Sequence, residues 1–344
     1  MKLSILDQSI AAAGQSQADS LRNTLALAQH AEALGYHRFW VSEHHSHPSI
    51  VGTAPEVLMA AIAARTQRIR IGSAGVMLPH YAPLKVAEQF RVLDALAPGR
   101  IDLGVGRAPG SDQRTSALLN ADRHRSQDFP QQVLELQAWV QEGADLPAGS
   151  MTTGIPMGHP GHGVHAFPHS STAPALWMLG SSDYGAQLAA QLGLPYAFAH
   201  FITDGQGAKD AIDIYRSSFK PSAITPQPHP ALCVWALAAD TEQEAWHQFK
   251  SRQRWKMDRN LGHIGALPAP GDADRDYSAA EQPRLNALRQ DALVGSAAQV
   301  VAKLRALSEA LEVEEIAIIT WTHDATVQQR SYALLAQAMG MQSA

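Results

Sequence analysis

Short apolar runs alternate with longer stretches of helical period along nearly the whole chain. Leu3 to Asp7 has the pattern of a strand, and Ser20 to Leu34 then places Leu21, Leu25, Ala28 and Leu34 at near-helical spacing before Gly35 stops the helix. The couplet recurs. Tyr36 to Val41 predicts a strand and Ala54 to Arg65 a helix with Pro55 in its first turn; Ile69 to Gly75 predicts a strand and Pro83 to Leu96 a helix. Pro98-Gly99 then turns the chain into the strand Ile101 to Gly106. Repeated strand–helix units of this length imply a parallel sheet, because a helix must carry the chain back before the next strand.

Past Gly106 the rhythm loosens and resumes. Phe129 to Val140 reads as a helix, but Gly143 to Ser171 is rich in Gly, Pro, Ser and His with little period, as expected of a long connection over one mouth of the fold. Strands follow at Ala175 to Leu179, Tyr196 to Ala199, Ala231 to Ala238 and Glu315 to Ile319. Helices are predicted at Ser182 to Leu192, Gly207 to Phe219, Thr241 to about Lys256, Ser296 to Leu311 and Ala325 to Met339, and Arg259 to Ala292 forms a second irregular excursion. Eight strands with helices between them give an α/β class and a closed (β/α)8 TIM barrel, a single domain over 1–344, with insertions at the C-terminal mouth at about 108–171 and 259–292. An open doubly wound sheet is the alternative. Against it, Asp7 to Gly14 lacks the closely spaced glycines that wrap a dinucleotide pyrophosphate.

Composition narrows the partners. The 344 residues are 45% hydrophobic, enough for a large core, and the formal net charge of -5 argues against a nucleic-acid binder. Arg65, Arg68 and Arg70 read as a solvated face more than as a polyanion site. The single cysteine, Cys233, lies in an apolar run and reads as a buried thiol. No apolar run approaches the roughly 18 residues of a membrane span, and the N-terminus lacks a signal-peptide core, so a soluble cytoplasmic protein is expected, with no membrane partner.

In a barrel of this kind chemistry collects where strands end. Glu43-His44-His45, with His47 nearby, follows the second strand. These residues could hold a divalent metal, pack a loop on the rim, or position a ligand and move protons. The metal reading lacks supporting ligands at neighbouring strand ends, and adjacent residues at a strand end point opposite ways, so no metal is expected. His159, His162, His165 and His169 in the first excursion could also bind a metal, or be an unpatterned solvent-facing loop. Gly104-Val105-Gly106-Arg107 joins a bare backbone to a guanidinium, which suits a phosphate, although Arg107 could equally pair with Asp112. Leu179-Gly180-Ser181-Ser182 opens a helix with two hydroxyls and exposed amides, a seat for an anion that Arg107 could share. Small residues from Gly72 to Gly75 either relieve crowding or leave a flat slot for a planar ring.

Glu43-His44-His45, the run Ile71 to His80 with Ala87-Glu88, Pro98 to Arg107, and Leu293-Val294-Gly295-Ser296 before a helix together resemble the bacterial luciferase-like family of flavin-dependent monooxygenases, nearly end to end. The resemblance implies a barrel that binds FMN, usually as reduced FMN from a separate flavin reductase, and oxygenates a small organic substrate with O2 through a flavin C4a-peroxide. It implies a catalytic role for His44 beside flavin and substrate and for its neighbour His45, with Glu43 supporting the cofactor site. It places Ala74-Gly75, often a non-prolyl cis peptide, under the flavin ring, and phosphate contacts at Arg107 and Ser182. Gly180 and Ser181 belong to the same cofactor-binding turn, and depart from the acidic residue found near there in luciferase itself. A homodimer through Ala54 to Arg65 and Pro83 to Leu96 is also implied. An F420- or flavin-dependent oxidoreductase on the same barrel, and a non-catalytic flavin-binding protein, stand as alternatives.

Overall fold

A computed structural model, describing residues 1–120, 126–147 and 154–342, closes the chain into a parallel barrel. The strands are β1 (Lys2–Asp7), β2 (Arg38–Val41), β3 (Arg70–Met77), β4 (Ile101–Gly106), β5 (Ala175–Gly180), β6 (Tyr196–Phe198), β7 (Pro230–Ala239), β8 (Leu293–Ser296) and β9 (Glu315–Ile319). Pairing runs from β1 through β7 in order, then β7 to β9 and β9 back to β1, which closes an eight-membered ring. The expected (β/α)8 class is therefore the observed one. The ninth strand was not expected: β8 pairs only with Ala236–Ala239, the part of β7 that runs beyond its register with β9.

The helices are α1 (Gln17–Ala33), α2 (Pro55–Ala63), α3 (Pro83–Leu96), α4 (Gln113–Leu119), α5 (Phe129–Gln141), α6 (Asp183–Leu192), α7 (His200–Thr203), α8 (Ala208–Ser217), α9 (Glu242–Arg259), α10 (Gln282–Gln290), α11 (Ala297–Ala310) and α12 (Ala325–Ala338). Their ends follow local chemistry. The Ser16 hydroxyl accepts the Asp19 N–H to start α1, Ser296 and Gln299 form a reciprocal capping box on α11, and Gly193 closes α6 at φ 62°.

Strand alternation divides the core into two shells. Ile5, Phe39, Ile71, Ile101 and Leu232 face the helices, whereas Leu6, Trp40, Trp177, Ala197, Cys233, Ala317 and Ile319 fill the barrel, where Trp40 and Trp177 meet edge-to-face at 5.1 Å. The N-terminal end is plugged by a buried ionic network. Arg38 donates from Nη1 to Asp102 and from Nε to Glu315, each at 2.8 Å, and Trp40 Nε1–H adds a bond to Asp102 at 3.0 Å. With charge and aromatic bulk closing that end, ligand access is left to the C-terminal mouth.

The excursions differ from each other. In the second, Leu267 exchanges backbone bonds with Ala11 and Ala13, and the Ser49 hydroxyl donates to Gly265 O at 2.5 Å, so this segment lies across the loops that follow β1 and β2. In the first, Trp139 Nε1–H donates to Val164 O and Arg91 to Pro168 O, which holds this stretch against α3 and α5 on the outside of the barrel. Residues 121–125 and 148–153 of the expected 108–171 excursion, and 343–344 of the expected domain, lie outside the described residues. No helix among the described residues is long and apolar enough to cross a membrane.

Candidate active site

The residues just past β2 occupy three different environments. Glu43 is buried, and its carboxylate accepts three bonds: from His45 Nε2–H at 2.6 Å and the Tyr81 hydroxyl at 2.7 Å, both on Oε1, and from the Met77 N–H at 3.1 Å on Oε2. It is thus committed to its neighbours, and it fixes the ring of His45. Burial and the Glu43 charge together push the Tyr81 hydroxyl well above its ordinary pKa, so it stays a donor. His44 is set apart. Its Nδ1 lies 3.4 Å from the Ser42 hydroxyl, and Nε2 has no hydrogen bond among the described residues. Burial, with help from His47, His45 and Arg259, lowers the His44 pKa to about 4, so the ring is neutral at neutral pH.

The floor of the mouth is shaped by β3 and β4. Pairing proceeds as far as Ser73↔Leu103 and resumes at Val76↔Val105, so Ala74 and Gly75 bulge opposite Gly104 alone. The Ser73 hydroxyl fills the broken ladder, donating to Gly104 O at 2.9 Å and accepting the Gly104 N–H at 3.0 Å. The Ala74-Gly75 peptide is cis. Side chains are excluded here by contact: a Cβ on Gly104 would stand 2.2 Å from Ser73 O, and one on Gly75 2.6 Å from Leu179 Cδ1. Gly106 is different, with nothing closer than Leu179 O at 3.9 Å, so its missing side chain leaves open space. The glycines of the third strand therefore relieve crowding, and the open space lies beside Gly106 at the end of β4.

Arg107 follows β4 and is exposed, its guanidinium 3.9 Å from the centroid of the Tyr184 ring in the first turn of α6. No acid pairs with it among the described residues. The alternative partner Asp112 instead caps α4, accepting the Thr115 N–H at 2.8 Å. Ser182 is the N-cap of α6 but its hydroxyl makes no capping bond, and Gly180 and Ser181 precede it at the end of β5. A free guanidinium, a free hydroxyl and the amides of the first helical turn together form a seat that a phosphate monoester fits.

Other strand ends serve the scaffold. Asp7 is buried, bonded to the Thr24 hydroxyl at 2.5 Å and the Ser9 N–H at 3.0 Å, and Thr320 donates to Ala236 O at 2.7 Å. In the first excursion His165 Nδ1 lies 2.5 Å from the Glu142 carboxylate and His169 Nε2 lies 3.7 Å from it, a cluster that includes none of the mouth residues.

The part that α9 plays in one wall went unread in the sequence. Trp255 of α9 stacks edge-to-face on Trp321 with centroids 4.7 Å apart and lies 6.4 Å from His47, while Arg252 covers Trp235 at 4.3 Å. The expected helix ended near Lys256, short of Arg259, and the spacing of Arg252, Trp255, Lys256 and Arg259 on one face was the available signal.

A family model described as luciferase-like monooxygenase matches residues 1–314. An uncharacterised protein of Bacillus subtilis (strain 168), YwcH, is 45% identical over 98% of this chain and 99% of its own. The N-acetyl-S-alkylcysteine monooxygenase of the same organism is 36% identical over 98% of each chain. The crystal structure of apo-MsnO8 superposes with a TM-score of 0.88 at 37% identity, covering 100% of this chain and 99% of that one.

Proposed function

The chain belongs to the luciferase-like monooxygenase family, and on that premise we propose that it is an FMN-dependent monooxygenase acting at the C-terminal mouth of the barrel on a small organic substrate. The observation that carries the cofactor assignment is Arg107, without an acid partner, lying over the first turn of α6 beside the uncapped Ser182. Structures of this fold are known with FMN bound. Arg107, Ser181, Ser182 and Gly180 would hold the phosphate, and the bare surface of Ala74, Gly75 and Gly106 would take the ring system. Reduced FMN, when bound, supplies the two electrons with which O2 delivers one oxygen atom to the substrate and the other to water. A separate reductase supplies that reduced FMN.

The protein's own part is positioning and proton transfer. His44 offers a neutral ring with Nε2 free, so this atom can take up a proton and return it as the oxygen transfer proceeds. His45, fixed by Glu43, braces the wall beside it. The second excursion, lying across the loops after β1 and β2, keeps water from the mouth. The name of the N-acetyl-S-alkylcysteine relative supports a small organic molecule as the substrate class. Val57 on α2, 64% exposed, and Leu96 on α3, 68% exposed, support an interface there with a second copy. The test is an anaerobic titration with FMN, riboflavin and F420, followed by O2-dependent oxygenation of a panel of thioethers, aldehydes and heterocycles. FMN should bind more tightly than riboflavin, and preferential use of F420 would replace this reading.

A further inference from the structure

At the mouth, apart from the phosphate seat, is a group of buried donors that nothing among the described residues satisfies. Arg252 is 5% exposed, makes no hydrogen bond or ion pair among the described residues, and its Nε is fully enclosed without a partner. Its guanidinium lies 4.3 Å from the centroid of Trp235 and 5.9 Å from that of Trp321. The indole N–H groups of both tryptophans are also buried and unpartnered. All three are groups that can only donate. Trp235 continues the inward-facing row of β7 after Ala231 and Cys233, and Trp321 continues that of β9 after Ala317 and Ile319, so the cluster lines the barrel mouth.

A water molecule would answer an indole N–H, but a buried guanidinium to which no carboxylate is bonded among the described residues calls for an anion. The acid whose charge reaches it, Asp204, is already engaged in an ion pair with Lys256, one turn along the same helix face. Arg259, two turns on, adds further positive charge and lies over Trp255 at 5.7 Å. Burial depresses the Arg252 pKa to about 9, the charge of Asp204 opposing the shift and that of Arg259 adding to it.

We propose that Arg252, with the indole N–H groups of Trp235 and Trp321, is a subsite for the carboxylate of an organic acid substrate. The proposal deepens the monooxygenase reading and rests on it for the identity of the ligand as substrate. The cofactor phosphate belongs elsewhere: Arg107 and Ser182 follow β4 and β5, whereas Trp235 lies on β7 and Trp321 follows β9, two to four strands away round the ring.

The experiment titrates the full-length protein, with and without FMN, with hexanoate and with its neutral counterpart hexanamide, following heat and tryptophan emission. Hexanoate should bind the wild type, and Arg252→Met should weaken that binding by about tenfold or more, while Arg252→Lys keeps part of it. Hexanamide should bind weakly and equally to all three proteins, and FMN affinity should not change. The Arg252→Met protein should melt no lower than wild type, since it loses an unpartnered buried charge. Equal hexanoate affinity in wild type and Arg252→Met, hexanamide binding as tight as hexanoate, or lower melting of both variants would overturn the subsite. A parallel loss of FMN affinity would also overturn it, by placing Arg252 in the cofactor site. A protein that binds hexanoate through Arg252 but takes no FMN leaves the subsite standing and removes the monooxygenase reading.

Discussion

His45 donates from Nε2 to the Glu43 carboxylate at 2.6 Å, whereas the Nε2 of the adjoining His44 has no hydrogen bond among the described residues. Two neighbouring histidines are thereby given different work, because successive side chains leave the strand end in opposite directions. Glu43 and His45 are bonded to each other, and His44, on the proposed reading, faces the substrate.

Replacing His44 with Ala should slow oxygenation by roughly 10²- to 10⁴-fold, the range for a lost proton-transfer group, while FMN binding changes little. Single-turnover oxygenation set beside an FMN titration checks both. An unchanged rate would remove His44 from the chemistry.

The same residue makes stability depend on pH. With a folded pKa of about 4 against an unfolded value near 6.5, both states are neutral above pH 7. As pH falls from 6.5 toward 4 the unfolded chain binds a proton that the folded protein refuses, so stability is lost through that window. Between pH 7 and pH 5 the loss attributable to His44 is about 2 kcal/mol, and urea unfolding of wild type against His44→Ala should show the difference.

Glu43→Gln leaves three donors facing a side chain with a single acceptor oxygen. The expected destabilisation is on the order of 1–3 kcal/mol, read as a lower melting temperature. A Tyr81→Phe change in the same background should add less than it does alone, because the two residues share one bond.

Removing the Arg107 guanidinium should weaken FMN binding by about 10- to 100-fold, the range for lost charge-assisted bonds, and riboflavin binding far less. Equal losses for the two ligands would disprove the phosphate contact.

Gly104 and Gly106 should respond in opposite ways. Gly104→Ala drives a methyl against Ser73 O and Leu179, at an expected cost of about 1–3 kcal/mol or more in stability. Gly106→Ala meets open space, so stability should hold while FMN affinity falls. Thermal unfolding of both variants, paired with FMN titration, separates the structural glycine from the one that leaves room for the ligand.

The sequence by itself determined the class of fold and most of its elements. Alternating short apolar runs and helical stretches can be buried only by strand–helix units, and eight such units close a barrel. It also placed Glu43-His44-His45, Arg107 and Ser182 at strand ends, because these fall at predictable places in a regular repeat, and the family resemblance pointed to His44 among them. The ninth strand was not legible: Leu293–Ser296 is short, and its pairing with β7 depends on that strand outrunning β9. Nor could the sequence show what holds Glu43 and His45 within Glu43-His44-His45. That depended on Met77 and Tyr81, distant in sequence, converging on one carboxylate. Arg252 was hidden for the same reason. An arginine on a polar helix reads as solvated until the tertiary structure buries it between two indoles with no hydrogen-bond partner among the described residues, since local pattern records what a residue is and only packing decides what it faces.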